Sequence, residues 1–301
     1  MKKFFLLLLL LVTARAWAIS FEEAEEARQN GETGAAVAAF ESLSENGDQN
    51  AQLQLGGLYL NGVDVEQDLT KAEKYLSMAS EQGNVKAMQT LAQAYTRGEE
   101  FPKDLEKAAK YYLKSAETGD QQSQCLLAMQ YELGGVFDKD YKEAAKWYER
   151  SAMQGEAQAQ KCLGGLYYKG QGVEKDLKTG TAWFLKAAEQ GHVASQLIVG
   201  EAFLNGNGVE KNAEESAKWY HRAARQGNST SQFRLAAMYY DGVGVSKDVK
   251  KAYFWAVLAS NAEPKLVEAA EKIAEELKPE EIAKIKEKCE QWKKISEISK
   301  P

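Results

Sequence analysis

Between residues 157 and 191 the apolar positions fall in two helical stripes. Ala159, Leu163, Leu166 and Tyr167 stand at i, i+4, i+7 and i+8, one face of an α-helix. After Asp176, the residues Gly180, Trp183, Phe184 and Ala187 mark the inner face of a second helix. The same two stripes return every 36 residues without insertion. Gly47, Gly83, Gly119, Gly155, Gly191 and Gly227 keep that spacing, as do Gly62, Gly98, Gly134, Gly170, Gly206 and Gly242. Tyr59, Tyr95, Tyr131, Tyr167, Phe203 and Tyr239 form a third series, Asp68, Asp104, Asp140, Asp176, Asn212 and Asp248 a fourth. Tyr75, Tyr111, Trp147, Trp183, Trp219 and Trp255 form a fifth. Five series in one register identify a tandem repeat.

Each residue type has a mechanical reason. Asp or Asn before the second helix caps its unpaired amides. Gly191 and its equivalents end that helix where the backbone turns left-handed. Ala72, Ala108 and Ala144 allow close helix approach. The unit is therefore a helix hairpin that buries its apolar face on the next, and the fold class is all-α.

The pattern A-x3-LG-x2-Y-x2-G-x-GV-x2-D-x2-KA-x2-WY-x-KAA-x-QG resembles the Sel-one-like repeat (SLR), a relative of the tetratricopeptide repeat. Ala159 to Gly191 follows it at Leu163-Gly164, Tyr167, Gly170, Gly172-Val173, Asp176, Trp183, Ala187-Ala188 and Gln190-Gly191, and departs at Gly180-Thr181, where alanine is expected. The resemblance implies an α/α superhelical solenoid of stacked 36-residue hairpins with a concave groove. Six units occupy 49–262, a helical cap 19–48, and capping helices 263–301, where Pro264 and Pro279 suit helix starts.

Residues 1–18, MKKFFLLLLLLVTARAWA, have the layout of a secretory signal peptide, so the chain is expected to be periplasmic or secreted. Without them it carries 35 basic and 44 acidic residues, which argues against nucleic acid as a partner. The acidic excess lies in residues 19–100, with 15 acidic and 5 basic. No later segment approaches transmembrane length. Three cysteines, Cys125, Cys162 and Cys289, make no disulfide framework, and the 37-residue spacing of the first two does not favour a bridge.

The candidate chemistry is sparse. Lys178-Thr179-Gly180 spells a β-lactamase motif, but neither Ser-x-x-Lys nor Ser-Asp-Asn accompanies it, and the register makes it the first turn of a helix. A cysteine-rich branch of SLR proteins is linked to β-lactam binding. That branch pairs cysteines at a short fixed spacing, which this chain lacks. His192 and His221 are the only histidines and have no partner at ligand spacing, so they read as surface residues, with no metal or other cofactor expected. The Gly-x-Gly of YYKGQGVEKD (167–176) suggests a phosphate loop. Its second glycine becomes Asp64, Glu100 and Val136 in other units, so it reads as a hinge, with Lys175 solvated.

If Leu55 and Tyr59 point into the core, the opposite face of each first helix carries the positions of Leu53, Gly57, Leu60 and Asn61. Tyr168, Phe233 and Tyr240 occupy such positions without a packing role in the repeat, and Lys161, Lys169, Met129 and Arg97 share that face. These seven are the candidate binding residues, because exposed aromatics favour recognition. The expectation is a monomeric, non-enzymatic scaffold of the bacterial envelope that holds a protein or peptide in the groove, as SLR adaptors do, in envelope assembly or host contact. The alternatives are a β-lactam-binding or β-lactam-hydrolysing enzyme and a regulator of a cell-wall enzyme.

Overall fold

Helix boundaries follow the capping residues. The computed structural model describes residues 20–298, and the signal-peptide reading of 1–18 lies outside them. Every regular element in that span is helical. The chain divides into two compact units after Lys139. The first holds α1 (Phe21–Gln29), α2 (Thr33–Glu45), α3 (Gln49–Asn61), α4 (Leu69–Glu81), α5 (Val85–Arg97), α6 (Leu105–Glu117) and α7 (Gln121–Leu133). The second holds α8 (Tyr141–Met153), α9 (Ala157–Lys169), α10 (Leu177–Glu189), α11 (Val193–Asn205), α12 (Ala213–Arg225), α13 (Ser229–Asp241) and α14 (Val249–Ala262). A 3-10 turn (Pro264–Leu266), α15 (Val267–Ala274) and α16 (Pro279–Ile298) complete it. Consecutive helices pack as pairs in each unit, as a helical-repeat solenoid requires.

The local signals act as their chemistry demands. Asp68, Asp104, Asp140, Asp176, Asn212 and Asp248 each accept a backbone N–H from the first turn of the helix they precede. Gly62, Gly98, Gly170, Gly206 and Gly242 close the preceding first helices in the left-handed region. The chain then returns, so that the Asp176 N–H reaches the Tyr167 carbonyl at 3.0 Å and the Asp248 N–H reaches that of Tyr239 at 2.8 Å. YYKGQGVEKD is a hinge, and Lys175 is exposed.

The second glycine has its own reason. A Cβ on Gly172 would stand 2.0 Å from the Tyr141 carbonyl oxygen, and one on Gly208 would stand 2.1 Å from that of Leu177. These loops lie directly on the first turn of the preceding second helix. In the first unit Asp64 holds the equivalent place at φ 65°, and its carboxylate meets Arg28 at 3.5 Å.

A buried glutamine thread runs beneath the caps. Gln52, Gln160, Gln196 and Gln232 each donate to the end of the preceding second helix, at Ser44, Ala152, Ala188 and Ala224, over 3.1–3.2 Å. In three repeats the glutamine before the turn glycine then donates to this buried side chain: Gln82 to Gln52 at 2.7 Å, Gln190 to Gln160 and Gln226 to Gln196 at 2.8 Å. The Gln190 of the repeat pattern thus covers a buried amide from the exposed side.

At the ends, α1 and α2 form a helix pair in which Ala36 and Phe40 are fully buried. The α16 helix covers the last hairpin with Ile285, Cys289 and Trp292. The indole lies edge-on to Phe254 and Trp255, with centroids 6.0 and 5.8 Å away.

Candidate functional site

In the second unit the first-helix face is formed by α9, α11 and α13. Lys161, Tyr168 and Lys169 come from α9, Leu197, Glu201 and Leu204 from α11, and Phe233, Arg234 and Tyr240 from α13. Arg234 and Glu201 form an ion pair at 3.5 Å that joins α13 to α11, with side chains 49% and 40% exposed. At that exposure it contributes about 0–1 kcal/mol, so it orients the face more than it stabilises it. Arg97 and Met129 lie in the first unit. Arg97 is exposed and pairs with Glu100 at 3.6 Å, while Met129 is half-buried one turn before Leu133, itself 69% exposed.

The expectation that Tyr168 and Tyr240 lack structural roles is corrected. The Tyr168 ring packs edge-on to Phe184 at 5.1 Å, and its hydroxyl meets the Thr181 hydroxyl at 2.5 Å and donates to the Asn207 carbonyl at 3.2 Å. It also fills the space above Gly180, where a Cβ would lie 2.4 Å from the ring. The departure from alanine at Gly180-Thr181 therefore makes room for Tyr168 and bonds it. Burial raises the pKa of this phenol. Tyr240 donates to Glu276, lies beneath the Lys247 ammonium and packs on the terminal core. Its pKa is raised first by the Glu276 hydrogen bond. Phe233 remains as the half-buried aromatic on this face, Lys161 is half-buried, and Lys169 is exposed.

The face is also less open than its sequence pattern implies. Leu60, Gln89 and Cys125, which occupy face positions in the first unit, are 8%, 6% and 4% exposed. Gln89 donates to the Ser123 hydroxyl at 2.8 Å. These positions sit where neighbouring first helices meet, so a side chain there is shared between packing and surface.

Neither histidine is a plain surface residue. His192 is the N-cap of α11: its Nδ1 accepts the Ser195 N–H at 3.2 Å, and its Nε2 lies 3.2 Å from the Gln158 carboxamide oxygen. An accepting Nδ1 requires the neutral ring with the proton on Nε2. Burial, then the nearby Lys161, lower its pKa, with Glu156 opposing. The cap therefore contributes full stability above the ordinary value of 6.5 and loses it as pH falls from there towards the lower folded value. His192→Asn, the residue type of Asn84 and Asn228, keeps a cap that does not titrate. Thermal melts between pH 7.5 and 5 should fall less steeply for this variant than for the wild type, and equal slopes would dismiss the coupling. His221 is half-buried beside Trp255, ring centroids 5.5 Å apart, and burial lowers its pKa.

The Lys178-Thr179-Gly180 segment is the capped first turn of α10, with Asp176 accepting the Lys178 and Thr179 N–H groups at 2.9 and 3.2 Å. Among the described residues no group of three or more His, Cys, Asp or Glu side chains could hold a metal ion, and no helix is long and apolar enough to cross a membrane.

The Sel1 repeat family matches residues 49–84, 85–120, 121–156, 157–192, 193–228 and 229–263. The chain belongs to this family, whose repeats build scaffolds that typically bind proteins and generally lack enzymatic activity. A protective antigen of uropathogenic Escherichia coli with an SLR fold is 32% identical, with a TM-score of 0.76; the match covers 85% of this chain and 56% of the antigen. A Sel1 repeat protein from Oxalobacter formigenes is 28% identical, with a TM-score of 0.67, over 81% of this chain and all of that one. No curated protein matches the chain.

Proposed function

We propose that the protein is a non-enzymatic scaffold, periplasmic or secreted, that holds a protein or peptide on the first-helix face of its second unit. The observation that carries this reading is the half-buried apolar strip of Leu197, Leu204, Phe233 and Tyr240, crossed by the Glu201–Arg234 pair. Apolar anchors beside oriented charges are what a specific interface needs. Tyr168 and Tyr240 enter it as rings already held by hydrogen bonds, which lowers the ordering cost of binding. That one relative is a protective antigen agrees with a place outside the cytoplasm and with host contact.

Pull-down from envelope extract, with captured proteins quantified by mass spectrometry, tests the face. Phe233→Ala should reduce recovery of the partner about tenfold, the effect of losing a buried aromatic anchor. Tyr240→Phe should leave recovery near wild type, since the ring stays. Equal recovery by wild type, Phe233→Ala and the Leu197→Ala/Phe233→Ala double variant would remove this assignment.

A further inference from the structure

In the first two repeats the tyrosine of the first helix meets a carboxylate from the preceding helix pair. Tyr59 donates to Glu41 at 3.2 Å, and Tyr95 donates to Glu73. A lysine completes each group. Lys71 Nζ lies 3.4 Å from the Tyr59 hydroxyl, and Lys107 Nζ lies 3.0 Å from that of Tyr95 and 3.2 Å from Glu73. Both ammonium groups also sit 4.6 Å from the centre of the tyrosine ring. The hydrogen bond from Tyr95, then the contact with Lys107, hold the Glu73 carboxyl below its usual range.

The sixth repeat keeps the tyrosine and the lysine in register and lacks the carboxylate. Tyr239 and Lys251 stand in the same register, with Lys251 Nζ 5.2 Å from the ring centre. Ala217 takes the position of Glu73, and His221 takes that of Glu41. A cavity of about 460 Å³ opens there, walled by Ala217, Leu235 and Val245 and reached by Lys218, His221 and Arg222. Exposed Glu214 also borders it. The other charges nearby are engaged: Lys218 with Glu215 at 2.5 Å, Lys251 with Asp248 at 3.4 Å, and Arg222 over the Trp219 ring at 4.3 Å.

We propose that this cavity binds a carboxylate supplied from outside the chain, seated where Glu73 places its own in the second repeat. The Tyr239 hydroxyl is its donor, Lys218 and Arg222 in the lining add positive charge, and Leu235 and Val245 receive a short aliphatic stem. Charge-assisted hydrogen bonds of this kind are the strong ones. None of these residues belongs to the first-helix face, so the cavity stands or falls independently of the scaffold reading.

The chain has only two histidines, so its imidazole NMR signals report the cavity through His221 with His192 as an internal control. The protein is titrated with glutarate, with N-acetyl-glutamate amide and with uncharged glutaramide. The His221 signals should move saturably with a carboxylate and stay still with glutaramide, while the His192 signals stay in place throughout. The carboxylate that saturates at lower concentration distinguishes a free dicarboxylate from the acidic side chain of a partner. Ala217→Glu returns the missing carboxylate and should abolish the response. If that variant fails to fold, Tyr239→Phe decides: phenylalanine occurs at this position as Phe203, and losing the hydroxyl should weaken binding about tenfold. The proposal fails if His221 does not saturate, if glutaramide acts equally, or if Tyr239→Phe binds as tightly as wild type.

Discussion

Gly208→Val should lower the unfolding free energy by about 3 kcal/mol, whereas Gly227→Ala should lower it by about 1 kcal/mol. Both glycines have positive φ, +73° and +86°. A left-handed backbone costs a side-chain-bearing residue about 1–2 kcal/mol at either place. Gly227 has open space around it, but a Cβ on Gly208 meets the Leu177 carbonyl oxygen at 2.1 Å and the Thr181 hydroxyl at 2.6 Å. A backbone oxygen cannot rotate away, so the loop must lift from α10, at an overpacking cost of about 1–3 kcal/mol. Lifting also breaks the Thr181 bond to the Asn207 carbonyl, 2.8 Å, and frees the Tyr168 hydroxyl held by both. Urea unfolding followed by circular dichroism separates the two variants. Equal midpoints would show that the loop does not rest on the helix.

The second large effect comes from the glutamine thread. Gln196→Met should cost about 2 kcal/mol, and adding Gln226→Thr should cost little more. The single change removes one of two donors to the Ala188 carbonyl, which keeps the Gly191 N–H at 3.0 Å, and one of two acceptors of the exposed Gln226 carboxamide, which keeps the Gly191 carbonyl at 3.1 Å. Each hydrogen bond lost is worth about 0.5–1.5 kcal/mol net, and once Gln196 is gone Gln226 has one bond fewer to lose. The chain itself contains the double change: in the second repeat Met88 and Thr118 stand at these two positions, and Met88 is 1% exposed. A double-mutant cycle measures the coupling. Additive losses would mean that the two amides do not act as a pair.

Much of the fold was legible in the residues. The 36-residue register, the capping aspartates and the glycine turns all appear at the expected positions. The His192 cap was legible too, because Asn84, Asp120, Glu156 and Asn228 in its series all precede a first helix and accept its N–H groups. Lack of a partner at ligand spacing makes it read as a surface residue, whereas it caps the helix that follows. The burial of Gln52, Gln160 and Gln196 left a similar signal, a glutamine recurring beside a buried alanine or serine. The role of Tyr168 left less. It has Leu60, Thr96, Glu132, Leu204 and Tyr240 as counterparts, and its partners lie 13 and 39 residues along the chain. The one clue was Gly180, a glycine where the pattern expects alanine.

The division follows from the range of the forces. Helix hydrogen bonds span four residues, caps two or three, and the left-handed turn is a steric property of single positions, so sequence alone determined the hairpins and their period. The apolar stripes added that hairpins must stack, since neither helix of a pair can bury its face alone. Only the tertiary structure decided which polar groups meet across repeats. Tyr168 became a bonded ring, the half-buried His192 met Gln158 of α9, and the Tyr239 site became a cavity without the carboxylate of its counterparts. Those outcomes depend on distances of a few ångströms between residues 13 to 39 apart in sequence, which periodicity places in register but does not bring into contact.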